Sequence, residues 1–241
     1  MSKSPLRWPR LLFASSGFIP LLGLATDPPD VMLLIYSLYV AAWFGRERVA
    51  RWINEFPGGT TSHLIGCFLV SGVVTETLAW GNNYLKAAAQ PALFHPQLFA
   101  DLLIGVGFYG GWACAWWVVS RRFHFSQGEV FLVAGIQGIF FEQLGAVALA
   151  MVRLWSTQPF QAMFFGLYVL AVHGSAAGLG MAAAGDPAMG SANRSRHWVR
   201  FPLVILLMVA LAFVGCELVA LAATLFGGLP PKRSIVAHPL W

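Results

Sequence analysis

Apolar residues run along this chain in seven long stretches, near 11–26, 31–45, 61–80, 101–120, 130–152, 160–184 and 202–226, parted by shorter segments where arginine, proline and asparagine collect. About 20 mostly apolar residues carry an α-helix across the ~30 Å hydrocarbon core of a bilayer. The pattern therefore predicts an all-α polytopic transmembrane bundle of about seven spans, forming a single membrane domain over residues 1–241. The first stretch contains Pro20 and follows Lys3, Arg7 and Arg10, a layout that also fits a signal peptide ending near Ala25. The second is short, as a tilted or interfacial helix would be. No long linker, repeat or low-complexity segment divides the chain.

Composition agrees with the pattern. The 241 residues are 58% hydrophobic and 10% charged, with mean hydropathy +0.68, against about 25% charged in soluble domains. With the N-terminus cytoplasmic, the inner segments hold Lys3, Arg7, Arg10, Arg46, Arg48, Arg51, Arg121, Arg122, Arg194, Arg196 and Arg200, eleven of the fifteen cations. The other side keeps Lys86, Arg153, Lys232 and Arg233. This bias predicts seven spans with an external C-terminus. Trp8, Trp43, Trp52, Trp116, Trp117 and Trp198 fall near the inner boundary and Trp80, Trp155 and Trp241 near the outer one, which leaves Trp112 well inside a span. The net charge of +5 thus reads as a topology signal and gives no case for nucleic acid. The expected setting is a bacterial inner membrane, with the lipid bilayer and other membrane proteins as partners.

Helix-end chemistry adds detail. Ser126 with Glu129 spells a capping box before Val130, and Pro202 suits the first turn of the last helix. Asp30 and Asp101 read as N-caps. The loop near 81–100, with Asn82, Asn83, Tyr84, Lys86, Gln90 and His95, is expected to form a partly ordered cap over the bundle. Cys67, Cys114 and Cys216 lie inside spans without zinc-type spacing and read as small buried hydrophobes.

The candidate chemistry is ionisable residues at membrane depth, which are costly there and often functional. Glu142 and His173 fall near the centres of their stretches. Glu217 lies roughly 5 Å and Glu76 roughly 8 Å toward the outside, at ~1.5 Å per residue. Gly135, Gly138, Glu142, Gly145 and Ala146 make one stripe of small residues, and Gly72, Glu76 and Ala79 lead to Asn83 on another. Gly166, Leu170, His173, Ala177 and Gly180 form a third, and Ala210, Val214, Glu217, Ala220 and Thr224 a weaker fourth. Such stripes mark close helix packing, as does the Gly107-xxx-Gly111 pair, so the four ionisable groups are expected to share an outer-half compartment among the third, fifth, sixth and seventh spans. Gln137 is expected to make an interhelical hydrogen bond, and Gln143 to point away from Glu142.

Three readings of that compartment stand side by side. In the first, Glu142, His173 and Glu217 bind a divalent metal, or act as acid and base, in an intramembrane hydrolase, with Glu76 assisting. In the second, the groups move protons in a small proton-linked transporter. In the third, they are structural contacts in a non-catalytic accessory subunit of a membrane complex. No HExxH occurs. The single acid of Glu142-Gln143 departs from the Glu-Glu pair that opens the site of CAAX-type and PrsW-like intramembrane proteases, and Val169 stands where Phe-xxx-His needs its aromatic residue.

Overall fold

A computed structural model describes residues 7–185 and 197–241, except for the side chains of Arg7, Gln143 and Leu144. Lys3, Arg194 and Arg196, and the expected orientation of the Gln143 side chain, therefore lie outside the described residues. The regular elements of the described residues are helices: α1 (Arg7–Ser16), a 3-10 segment (Ile19–Ala25), α2 (Met32–Ile53), α3 (Thr60–Leu85) and α4 (Leu98–Ser120) come first. They are followed by α5 (Gln127–Phe141), a 3-10 turn (Glu142–Gly145), α6 (Ala146–Trp155), α7 (Pro159–Ala184) and α8 (Arg200–Thr224).

Five segments are long and apolar enough to cross a membrane: Trp8–Ala25 and helices α3, α4, α7 and α8. A sixth arises if α5 and α6 together count as one broken span. The chain is thus a helical protein with several apolar membrane-type helices. The seventh expected span corresponds to α2. This helix has 22 residues, but Arg46, Glu47, Arg48 and Arg51 occupy its last third, leaving it short of a full apolar span.

Helix α7 is the hub. It packs against α2, α3, α5 and α6, and 56% of its apolar stretch is buried, compared with 17% for the peripheral α8. Helix α8 instead lies along α4, where Gly107 and Gly111 face the backbone of Gly215 and Leu211 so closely that an added methyl would reach within 2.3 and 2.2 Å of those carbonyl oxygens. Dispersion between closely approaching backbones is a main source of helix association where lipid is as apolar as leucine. The main core combines Leu64 and Phe68 of α3 with Trp112 and Trp116 of α4, Val130 of α5 and Met208 of α8, all nearly inaccessible.

The Ser126–Glu129 capping box forms at the start of α5, with both reciprocal hydrogen bonds in place. Glu129 also pairs with the buried Arg200 at the start of α8, and Pro202 lies in that helix's first turn. Neither aspartate is an N-cap. Helix α2 starts after Val31, and Asp30 instead forms an ion pair with Lys86 at 2.7 Å. Helix α4 starts after Gln97, one turn earlier than an Asp101 cap implies, so Asp101 lies inside the first turn and is fully buried.

The loop after α3 does cap one end of the bundle, with the C-terminal segment as its partner. Gln97 donates through Nε2 to the His238 and Arg233 carbonyls at 2.9 and 3.2 Å. The N–H groups of Leu98 and Phe99 donate to the Pro239 and Leu240 carbonyls. Ile235 is 1% exposed beneath this strap.

Candidate functional site

The stretch read as one helix over 130–152 is broken where its glutamate sits. Helix α5 ends at Phe141, and Glu142 turns extended, with φ −61° and ψ 136°. After one 3-10 turn the chain re-enters a helix through Gly145 at φ +87°, a left-handed conformation that glycine adopts without penalty. Helix α6 leaves at 82° to α5. A straight α-helix would hold Glu142 against its own turn. The break instead sends its carboxylate toward α7.

There it meets His173. Glu142 Oε2 lies 3.5 Å from His173 Nε2, with side-chain exposures of 36% and 12%. The imidazole is held from three sides. Its Nδ1 is 3.0 Å from the Val169 carbonyl, its ring stacks obliquely on Trp112 at 5.1 Å between centroids, and its other face lies over Gly138. A methyl at Gly138 would come within 2.5 Å of the ring nitrogen.

These partners fix the tautomer. A carbonyl oxygen only accepts hydrogen bonds, so Nδ1 carries a proton to donate to Val169. In the neutral ring, Nε2 is then a lone pair facing a carboxylate oxygen that is itself buried without a hydrogen-bond partner. Two acceptors facing each other leave both unsatisfied. One proton between them, on either Glu142 or Nε2, resolves the contact.

A buried carboxylate, Glu76, lies on α3. Glu76 of α3 accepts a 2.9 Å hydrogen bond from the Tyr109 hydroxyl of α4, and Gly72 makes room for the tyrosine ring. One turn back, Tyr39 of α2 donates to the Ser71 carbonyl at 2.9 Å and meets Thr75 at 2.8 Å. Glu76 lies within electrostatic range of both Asp101 and Glu142. Asp101 accepts from the His95 backbone N–H at 2.9 Å, and its second oxygen is buried without a partner. Helices α3, α4, α5 and α7 therefore surround one polar compartment.

The four residues expected to share a compartment are placed differently. Glu142 and His173 are brought into contact and Glu76 lies within electrostatic range of Glu142, but Glu217 is set apart. It is exposed on the outer face of α8, next to Val214 and Leu218, which are 51% and 60% exposed. The expected Ala210–Thr224 face is turned outward because the glycine contacts place Met208, Leu211, Ala212 and Gly215 toward α4. The wall expected from the last span is supplied by α4. Among the described residues no third histidine, cysteine or acid joins Glu142 and His173 in a metal-ligand group. Gln137, expected to make an interhelical hydrogen bond, is buried, and among the described residues its Oε1 has no hydrogen-bond partner.

Tyr109, Trp112 and Asp101 enter the compartment without having been singled out for it. Tyr109 had a readable signal, a lone phenol inside an otherwise apolar, glycine-rich span.

Outside the membrane-type helices, burial and the charge of Lys232 hold the His95 imidazole below its ordinary value near 6.5, against the opposing bond to the Pro230 carbonyl. Gln97 N–H donates to its Nδ1 at 3.2 Å, and its Nε2 lies 3.0 Å from Pro230 O. The strap therefore selects the neutral ring with its proton on Nε2. No protein-family model, curated protein or solved structure matches this chain, so the functional reading rests on the site itself.

Proposed function

We propose that this chain is a proton-exchanging membrane protein, in the manner of a small proton-linked transporter, in which Glu142 and His173 pass one proton between them. The observation that carries the reading is the facing pair of acceptors, Nε2 and Oε2 at 3.5 Å, at the one sharply bent pair of apolar helices among the described residues. Broken helices with exposed backbone occur at membrane depth chiefly where they line a cavity or an ion path. Glu76 lies within electrostatic range of Glu142, and Asp101, beside the strap, within range of Glu76, so the acids follow one another stepwise toward the strap-covered end. The expected orientation places that end outside and the arginine-rich end in the cytoplasm of a bacterial inner membrane.

A second reading, an intramembrane acid–base hydrolase, is favoured by the 36% exposure of the Glu142 side chain, which leaves it only partly enclosed by protein. A metal-dependent form needs a third ligand beyond Glu142 and His173, and Glu217 faces the wrong way to supply it.

The test is proton flux into sealed vesicles carrying the purified protein, driven by an imposed potential and read with an internal pH dye. Wild type is expected to conduct. Glu142→Gln and His173→Ala should each lower the rate by roughly 10²-fold, the lower end of what a positioned acid or base contributes, while Glu217→Gln should conduct like wild type. No flux above empty vesicles in the wild type contradicts the transport form. Elemental analysis of the same preparations separates the metal form: about one divalent ion per chain, lost in both site variants, would replace proton exchange with metal chemistry.

A further inference from the structure

At the arginine-rich end of the bundle, remote from Glu142 and His173, a cavity of about 220 Å³ opens between α3, α4 and the end of α7. Thr60, Thr61, Leu64, Trp117, Ser120, Arg121 and Ala184 line it. Drug-sized ligands occupy roughly 300–1,000 Å³, so this space suits a smaller polar group.

The lining is a set of donors. Arg121 holds its guanidinium over the Trp117 ring, 4.9 Å from the centroid, and among the described residues no carboxylate lies within ion-pair distance of it. Trp117 is itself fixed, because its indole N–H donates to the Thr61 hydroxyl at 3.1 Å. That bond occupies an acceptor site of Thr61 and leaves its O–H proton to donate elsewhere. Thr60 adds a second hydroxyl. The first intrahelical bond of α3 here is His63 N–H to the Gly59 carbonyl, so the N–H groups of the preceding turn add further donor capacity beside the cavity. Among the described residues no acidic side chain lines the space.

We propose that this cavity binds a phosphate-bearing anion, supplied by the headgroup of an acidic phospholipid in the leaflet at the arginine-rich end. A planar guanidinium matches phosphate oxygens two at a time, and hydroxyl donors from the facing helix complete the shell. Leu64 adds an apolar surface to the lining, and an indole such as that of Trp117 favours the boundary between headgroup and chain. A lipid phosphate there bridges α3 to α4, the two helices that carry Glu76 and Tyr109.

The test uses the full-length protein in nanodiscs of phosphatidylcholine with or without phosphatidylglycerol, reading retained lipid by mass spectrometry, with inorganic phosphate in detergent as a separate arm. Wild type is expected to enrich phosphatidylglycerol. Arg121→Gln should reduce the enrichment about fivefold, the effect of about one cation at a membrane surface, and Thr61→Val should reduce it as well. Arg122→Gln, one residue along and outside the cavity lining, should leave it unchanged. Saturable protection by inorganic phosphate, lost in Arg121→Gln, would keep the anion site but assign it to free phosphate. Equal losses from Arg121→Gln and Arg122→Gln, or no enrichment in wild type, would overturn the proposal by reducing it to diffuse surface charge.

Discussion

At the scale of single residues, the site depends on what is missing beside His173 as much as on what is present. Gly138 leaves the ring its place, and Trp112 closes the opposite face. Gly138→Ala would put a methyl 2.5 Å from Nδ1 on two packed helices that cannot easily part. Overpacking of this kind costs about 1–3 kcal/mol. The expected outcome is a folded protein with a lower melting temperature in detergent and a proton flux reduced toward that of His173→Ala. Wild-type flux in Gly138→Ala would show that the ring position does not matter. The small-residue stripe through Gly135 and Gly138 was legible in the sequence, as was the placement of Glu142 and His173 within apolar runs, because small residues and ionisable groups there stand out against leucine. The proton-sharing contact was not legible, since it depends on Val169 O fixing one ring nitrogen and on a backbone break turning Glu142 toward α7.

At the scale of helices, close backbone approach decides which faces are buried. Helix α8 has apolar residues almost all round, so its hydrophobic pattern does not say which side meets the bundle. The Gly107–Gly215 approach says it, and Glu217 ends on the outside as a consequence. Gly107→Ala is expected to destabilise by about 1–3 kcal/mol, because its methyl would meet backbone that cannot move aside. Gly110→Ala, in the same helix but with open space at its Cβ, should be neutral or stabilising by up to about 1 kcal/mol through reduced backbone entropy. Thermal unfolding of the two variants in one detergent checks this, and equal losses would contradict the glycine contact. The Ser126–Glu129 cap was readable because it is a local motif. The misplaced Asp30 and Asp101 caps show the limit of that logic: both have the right residue type, but an ion pair with Lys86 and a bond from the His95 backbone claim them first.

At the scale of the whole molecule, the apolar pattern specified a helical membrane-type protein and most of its helices, while long-range pairing specified the site. Nothing local announces that α4 forms a wall of the compartment, or that the last residues fold back over the start of α4. That strap gives the molecule a pH-dependent edge. The folded His95 titrates below its ordinary value, so the undocked segment binds more protons in the intervening range. Strap docking is therefore fully present above about pH 6.5 and weakens as pH falls through the lowered folded value of His95. Protonation would also place a hydrogen on Nδ1, where the Gln97 N–H already points. Hydrogen exchange of the intact protein should show faster exchange over residues 229–241 at pH 5 than at pH 7.5, after correction for intrinsic rates, with α7 unchanged. A pH-independent strap would contradict this.

The central claim is that Glu142 and His173 act as one proton-sharing unit, and a double-mutant cycle on vesicle proton flux tests it most directly. Groups that act as a unit lose function non-additively, so the Glu142→Gln/His173→Ala double variant should be no slower than the worse single variant. If the two losses multiply instead, the residues act independently and the shared-proton account is wrong.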